Sequence, residues 1–178
     1  FFETKPQAKI IGITGTNGKS TTAALLFHIL KFNKIKCVIG GNYGVPACEI
    51  KDPGKRGVII LELSSYQLDG ARKLSLDLAT ITNITQDHLD YHKNLKNYLK
   101  AKLYLFENLI KKKGNVITDQ LIPEFKKIKK ITIDEKLKLY TLNDKKNDLK
   151  VISHSFKGET QLIKIKINNS IHDLNLNL

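Results

Sequence analysis

The chain predicts an α/β fold: an open, mostly parallel sheet flanked by helices, with antiparallel strands toward the C-terminus. Three observations carry that expectation. Short apolar, β-branched runs stand at residues 8–13, 35–39, 58–61 and 76–81, the signature of strands buried on both faces. The first run passes through a glycine-rich turn into Ala23, Leu26, Phe27 and Leu30, whose i, i+3, i+4, i+7 spacing is that of a packed helix. Polar residues gather at the exit of each run, where an open parallel sheet offers its ligand crevice.

The first unit organises the rest. In Gly12-Ile13-Thr14-Gly15-Thr16-Asn17-Gly18-Lys19-Ser20-Thr21-Thr22, Gly15 and Gly18 let the backbone turn tightly and bring its N–H groups against an anion at a helix N-terminus. Read as a phosphate-binding loop, it sends Lys19 to the β/γ-phosphates and Ser20 to a Mg²⁺ ion. The general GxxxxGK[ST] pattern wants glycine where Ile13 stands, and Gly12 is one place early, so a plain glycine turn with an incidental lysine stays open. Glycines at 12, 15 and 18 do not make the GxGxxG of a dinucleotide fold.

The second strand runs into Gly40-Gly41-Asn42-Tyr43-Gly44, which offers Asn42 to the same crevice, although alone it would read as a turn. After the turn signal Asp52-Pro53-Gly54, the run Val58-Ile59-Ile60-Leu61 ends at Glu62. A carboxylate there is costly unless paired or metal-bound, and beside a phosphate loop a Mg²⁺ ligand is needed; satisfaction by backbone or Ser hydroxyls is the competing reading. The fourth strand leads into Thr82-Asn83-Ile84-Thr85-Gln86-Asp87-His88-Leu89-Asp90-Tyr91-His92. His88 and His92 at i, i+4 with Asp87 and Asp90 could form a zinc site, but Asp87 and His88 are preferred as members of the Mg²⁺ nucleotide site.

A helix is predicted over 94–111, with Leu95, Tyr98, Leu99, Phe106 and Leu109 on one stripe. Lys102 lies four past Tyr98 and four before Phe106, so it points with the apolar face. Either it snorkels to the surface or it is buried, loses its charge and becomes a nucleophilic amine. Beyond Gly114 the sequence predicts strands at 115–118 and 131–133 and a short helix at 123–128. Residues 149–155, 161–167 and 171–178 alternate like antiparallel strands, turning at Gly158 and Asn168-Asn169. No internal repeat and no dividing linker stands out.

A chain of 178 residues can bury one sizeable core, and its composition is that of an ordinary soluble protein. No segment approaches ~20 apolar residues and the start lacks a signal-peptide layout, so a cytosolic protein is expected. Cys37 and Cys48 form neither a CxxC pair nor a disulfide framework. The net charge of +13 is concentrated in residues 91–150, with sixteen lysines against seven acids. Only two arginines occur in the chain, and arginine is what base readout prefers, so the lysines are read as solvated faces and nucleic acid is not expected as a partner.

Together Gly-Thr-Asn-Gly-Lys-Ser-Thr (15–21), Gly-Gly-Asn-Tyr-Gly (40–44), Leu-Glu-Leu-Ser-Ser-Tyr-Gln-Leu (61–68), Thr-Asn-Ile-Thr-Gln-Asp-His-Leu-Asp (82–90) and Lys-Ala-Lys-Leu (100–103) resemble the Mur ligases, ATP-dependent amide-forming enzymes of bacterial cell-wall precursor synthesis. The resemblance covers residues 8 to about 107, and Ser64-Ser65-Tyr66-Gln67 points to the D-glutamate-adding branch. It implies reaction through an acyl phosphate, with UDP-N-acetylmuramoyl-L-alanine and D-glutamate as substrates. It also implies ATP held by Gly15, Thr16, Asn17, Gly18, Lys19, Ser20 and Thr21, with Asn42, Asn83 and Asp87 beside the nucleotide. Lys19 would stabilise the transferring phosphoryl group, Ser20 and Glu62 would hold one Mg²⁺, and His88 with a carbamylated Lys102 would serve a second. Family members carry an N-terminal domain for the UDP moiety and a C-terminal domain for the amino acid. Neither is found in residues 1–178, nor is the family's His-Asn motif near the adenine, so a truncated central domain, monomeric and of negligible turnover alone, is expected. Another amide ligase of the superfamily, such as folylpolyglutamate synthase, and a non-catalytic nucleotide-binding module are the other readings.

Overall fold

A computed structural model describes residues 6–71, 74–108, 110–142, 149–158, 160–167 and 170–177. Their elements follow as β1 (Lys9–Thr14), α1 (Lys19–Phe32), β2 (Cys37–Gly41), β3 (Val58–Glu62), α2 (Ser65–Gly70), β4 (Leu76–Ile81), α3 (Leu89–His92), α4 (Leu95–Asn108), β5 (Ile110–Asp119), α5 (Phe125–Asp134), β6 (Lys138–Leu142), β7 (Leu149–Lys157), β8 (Thr160–Ile167) and β9 (Ser170–Asn177). Six strands form one parallel sheet in the order β2-β3-β1-β4-β5-β6, and β7-β8-β9 form a separate antiparallel sheet. The α/β expectation and the antiparallel C-terminal strands are both found. Among the described residues no helix is long and apolar enough to cross a membrane.

Alternation along the central strands sends side chains to two cores. Ile10, Ile59 and Leu61 join Leu68 of α2, Leu103 and Phe106 of α4 and Ile128 of α5. Ile13 and Ile60 face the other way, onto Ala23, Leu26, Phe27 and Leu30 of α1. Helix α1 thus covers one face of β1–β3, and the other helices cover the opposite face, as right-handed crossovers leaving β1 in one direction and β3 in the other require. Strand β1 lies between β3 and β4, so the loop after it opens at the point where the winding reverses.

Several sequence expectations are corrected. The helix predicted over 94–111 ends at Asn108, and β5 begins at Ile110. Leu95 is 42% exposed rather than part of the buried stripe, and Leu109 lies outside the described residues. Residues 131–133 belong to the last turns of α5, not to a strand; Ile128 and Thr132, one turn apart, are its buried side. The next strand is β6, at Lys138–Leu142. The turn at Asn168-Asn169 lies outside the described residues, as does Leu178.

One tight approach holds the β2 loop. Gly41 has φ 102°, and a Cβ there would strike the Glu62 carbonyl oxygen. Gly54 has φ 90° but open space around it. Gly41→Ala is therefore expected to cost at least about 2 kcal/mol, roughly 4–8 °C in Tm, against about 1–2 kcal/mol for Gly54→Ala. Thermal unfolding of the two variants side by side checks the difference.

Candidate active site

The apolar run of β1 stops at Thr14, and Gly15 (φ 147°) and Gly18 (φ 77°) turn the chain into α1. Gly18 is the N-cap of α1 and no side chain among the described residues caps it, so the first-turn N–H groups are open to an anion, favoured there by the helix dipole. Lys19 folds back and donates from Nζ to the Thr16 carbonyl at 2.8 Å. Ser20 and Thr21 stand exposed on the first turn.

The segment after β4 laces this loop in place. Thr16 N–H donates to the Asn83 carbonyl (3.0 Å), Asn17 N–H donates to Asn83 Oδ1 (2.8 Å), and Asn83 Nδ2 donates back to the Asn17 carbonyl (3.0 Å). Thr82 Oγ1 donates to the same carbonyl at 2.6 Å, and its nearness to Gly15 is why a Cβ at 15 would not fit. The Asn83 side chain is engaged with backbone on both its oxygen and its nitrogen, so here it shapes the loop from behind.

Glu62 ends β3 in register with Ile13 on one side and Gly41 on the other. It is 1% exposed; Oε1 accepts from Asn42 Nδ2 at 3.0 Å, and the buried Oε2 has no hydrogen-bond partner among the described residues. A buried carboxylate oxygen without a donor is costly, and a hard divalent cation is the partner that suits it.

Lys102, one turn past Tyr98 on α4, is 1% exposed. Its Nζ donates to the Gly15 carbonyl at 2.8 Å and lies 4.7 Å from the Tyr98 ring centroid. Burial, with the Lys19 charge adding to it and Asp87 opposing, brings its pKa down from 10.5 to about 7. Of the two alternatives for Lys102, the structure shows the buried one. Asp87 and His88 pair with each other, His88 Nε2 at 3.4 Å from Asp87 Oδ2, both part-exposed, with His88 at φ 51°. His92 turns away from them: it is buried, Nε2 is 3.0 Å from Ser65 Oγ, and its ring packs among Tyr66, Tyr91 and Tyr98. Burial holds the His92 imidazole below its ordinary pKa, with His88 and Lys102 adding and Asp69 opposing. Among the described residues no three His, Cys, Asp or Glu side chains converge as a metal site by themselves, so the zinc alternative has no ligand set there.

The fold thus brings Gly15, Thr16, Lys19 and Lys102 together, joins Asn42 to Glu62, and sets Asn83 behind Asn17. Sequence reasoning took Tyr98 for core alone and passed over Thr82 and Thr85. A tyrosine one turn before a buried lysine, and threonines on both sides of Asn83, were the available signals.

An uncapped helix opened by a glycine turn at the central strand of a parallel sheet, with a buried carboxylate at the next strand's exit, defines a phosphate-loop α/β domain. The chain belongs to the Mur ligase middle domain family, which matches residues 13–178. It is similar to the UDP-N-acetylmuramoylalanine–D-glutamate ligase of Rickettsia prowazekii, 37% identical over 179 residues, covering 99% of this chain and 36% of that one. A ligase of the same name from Zymomonas mobilis is 52% identical over 97 residues, covering 54% and 22% of the two chains. The chain therefore spans about a third of the curated relative's length or less. Among solved structures, UDP-N-acetylmuramoyl-L-alanyl-D-glutamate–2,6-diaminopimelate ligase superposes with TM-score 0.77 at 20% identity, covering 98% of this chain and 40% of that one. The MurF ligase of Thermotoga maritima in complex with ADP gives 0.75 at 18% identity, covering 96% and 40%; at such identities the likeness is one of fold.

Proposed function

We propose that this chain is the ATP-binding middle portion of a cytoplasmic, monomeric ligase that joins D-glutamate to UDP-N-acetylmuramoyl-L-alanine. In this reading ATP transfers its γ-phosphoryl group to the substrate carboxylate, leaving ADP and an acyl phosphate. The D-glutamate amine attacks the acyl carbon, phosphate departs, and the amide forms as the amine loses a proton. The names of the relatives support the substrates, and the partnerless Oε2 of buried Glu62 beside the phosphate loop is the observation that carries the nucleotide half.

Ser20 and Glu62 would hold a Mg²⁺ ion, and His88 with a carbamylated Lys102 a second; such ions supply charge neutralisation at the phosphoryl oxygens. Lys19 leaves the Thr16 carbonyl for the phosphate, adding charge where it develops. The free N–H groups of α1 cradle the phosphates, and Asn42 orients Glu62. The lowered pKa of Lys102 leaves a share of its amine neutral near pH 7, and only the neutral amine adds CO₂, forming an N–C bond and releasing a proton to give a carbamate.

Calorimetric titration of the chain with Mg·ATP and Mg·ADP tests the nucleotide half. Lys19→Ala is expected to weaken binding by roughly tenfold or more without lowering Tm, since it removes one charge-assisted contact from an open loop. Absence of binding by the unaltered chain overturns the reading. The acceptor is tested in a chimera in which this chain replaces the matching part of the Rickettsia prowazekii relative. ADP release that requires D-glutamate supports the proposal, and indifference to D-glutamate refutes it.

A further inference from the structure

We propose that the Thr16 hydroxyl is a positioning group which couples the phosphate loop to the Asp87–His88 segment and to Lys102. This deepens the nucleotide reading above and rests on it.

Thr16 is 9% exposed, and its Oγ1 meets three partners. It donates to the Thr85 carbonyl (3.0 Å), accepts from Thr85 N–H (3.0 Å), and lies 2.9 Å from Tyr98 Oη. A hydroxyl has one hydrogen and two lone pairs. With its hydrogen given to Thr85, Tyr98 must be the donor of the third bond, and the group is saturated. Its side chain therefore has no capacity left for a phosphate oxygen or a metal, which separates it from the exposed Ser20 and Thr21 on the same loop.

Each partner leads to a different part of the site. Thr85 is two residues before Asp87, and the Asp87 carboxylate accepts the His88 N–H at 2.9 Å. Tyr98 is one turn before Lys102 and carries the ring over which Nζ sits. The remaining polar groups of Thr16 are also engaged: its N–H donates to the Asn83 carbonyl and its carbonyl accepts from Lys19. When Lys19 leaves that carbonyl for a phosphate, the change falls on the residue that ties the other two segments. Equilibrium coupling of this kind is reciprocal, so disturbing the junction must also alter nucleotide affinity.

The test compares Thr16→Ser, which keeps the hydroxyl, with Thr16→Val, which keeps the shape and leaves both Thr85 groups and Tyr98 without their partner. Calorimetry with Mg·ADP is expected to show a loss of roughly tenfold or more in T16V, largely recovered in T16S. Tyr98→Phe is expected to weaken binding less, and the T16V/Y98F double variant no further than T16V, because both remove the same bond. The His88 imidazole resonance is expected to move on Mg·ADP addition in the unaltered chain and in T16S, and not in T16V.

Wild-type affinity in T16V, or additive losses in the double variant, overturns the proposal. Should T16V not fold, an unchanged Mg·ADP affinity in Y98F overturns it. If the unaltered chain binds no Mg·ADP, the nucleotide reading fails by itself, and the junction is judged in the ligand-free protein: identical His88 resonances in T16S and in T16V, or in Y98F where T16V does not fold, reject it.

Discussion

Glu62→Gln is expected to remove the Mg²⁺ dependence of nucleotide binding by about 100-fold or more, while the metal-free protein becomes no less stable. The carboxylate is buried, with one oxygen held by Asn42 and the other without a donor. Folding therefore leaves a carboxylate oxygen that no hydrogen bond among the described residues satisfies. Replacing the carboxylate by the amide removes the charge but leaves a buried polar group in the same place, so costs of about 1–3 kcal/mol largely offset one another. The same change removes the carboxylate that would hold the proposed Mg²⁺ ion, and changes merely behind a metal ligand already cost about 10–100-fold. Titration with nucleotide, with and without Mg²⁺, and thermal unfolding in chelator measure the two effects on one variant. A Glu62→Gln protein that keeps its Mg²⁺ response would place the ion elsewhere.

Lys102→Met is expected to flatten the pH dependence of stability between pH 7.5 and 9.5. The sign follows from proton counts. The folded-state pKa is about 7 against 10.5 for the ordinary lysine, so between these values the unfolded chain holds a proton that the folded chain lacks. Stability then rises with pH, by at most about 1.4 kcal/mol per unit for one group, or about 2.5 kcal/mol across the window. The burial penalty is complete below pH 7 and gone above 10.5. Removing the amine also leaves the Gly15 carbonyl without its donor, a pH-independent loss of about 1–3 kcal/mol, so the slope rather than the absolute stability decides. Tyr66, Tyr91 and Tyr98 have raised pKa values and stay outside the window. Denaturant unfolding at five pH values reads the slope; equal slopes in the two proteins would mean that Lys102 keeps its proton.

Where burial is two-sided, the sequence declares the element. The runs in β1 and β3 are apolar because helices cover both faces, and their polar exits follow from topology. Where burial is partial, the pattern misleads. Lys138-Leu139-Tyr140 at the sheet's edge carries a lysine and a tyrosine outward and was passed over, while Ile131 and Ile133 flank buried Thr132 and imitate a strand although they complete a helix. The end of α4 was hidden because Ile110 continues its apolar stripe while the backbone has already entered β5. At the site, Glu62 and Lys102 were legible as residues whose charge conflicts with a strand end or an apolar stripe, and Lys19 from the glycine spacing before it. Thr16 was legible only as a loop member; its bonds to Thr85 and Tyr98 were not, because hydroxyl contacts across dozens of residues leave no periodic trace.

Strand β1 is made before β3 and β4, with which it pairs, and Thr16 meets Thr85 and Tyr98 across 69 and 82 residues of chain. During synthesis the phosphate loop therefore leaves the ribosome long before anything that shapes it. Closing contacts of that span is slow, and the apolar runs of β1 and β3 wait exposed in the meantime. A nascent chain halted before Tyr98 would carry the glycine-rich sequence and its Thr82 and Asn83 contacts but not those of Tyr98 and Lys102, so tight binding to a nucleotide resin should begin only when α4 has emerged.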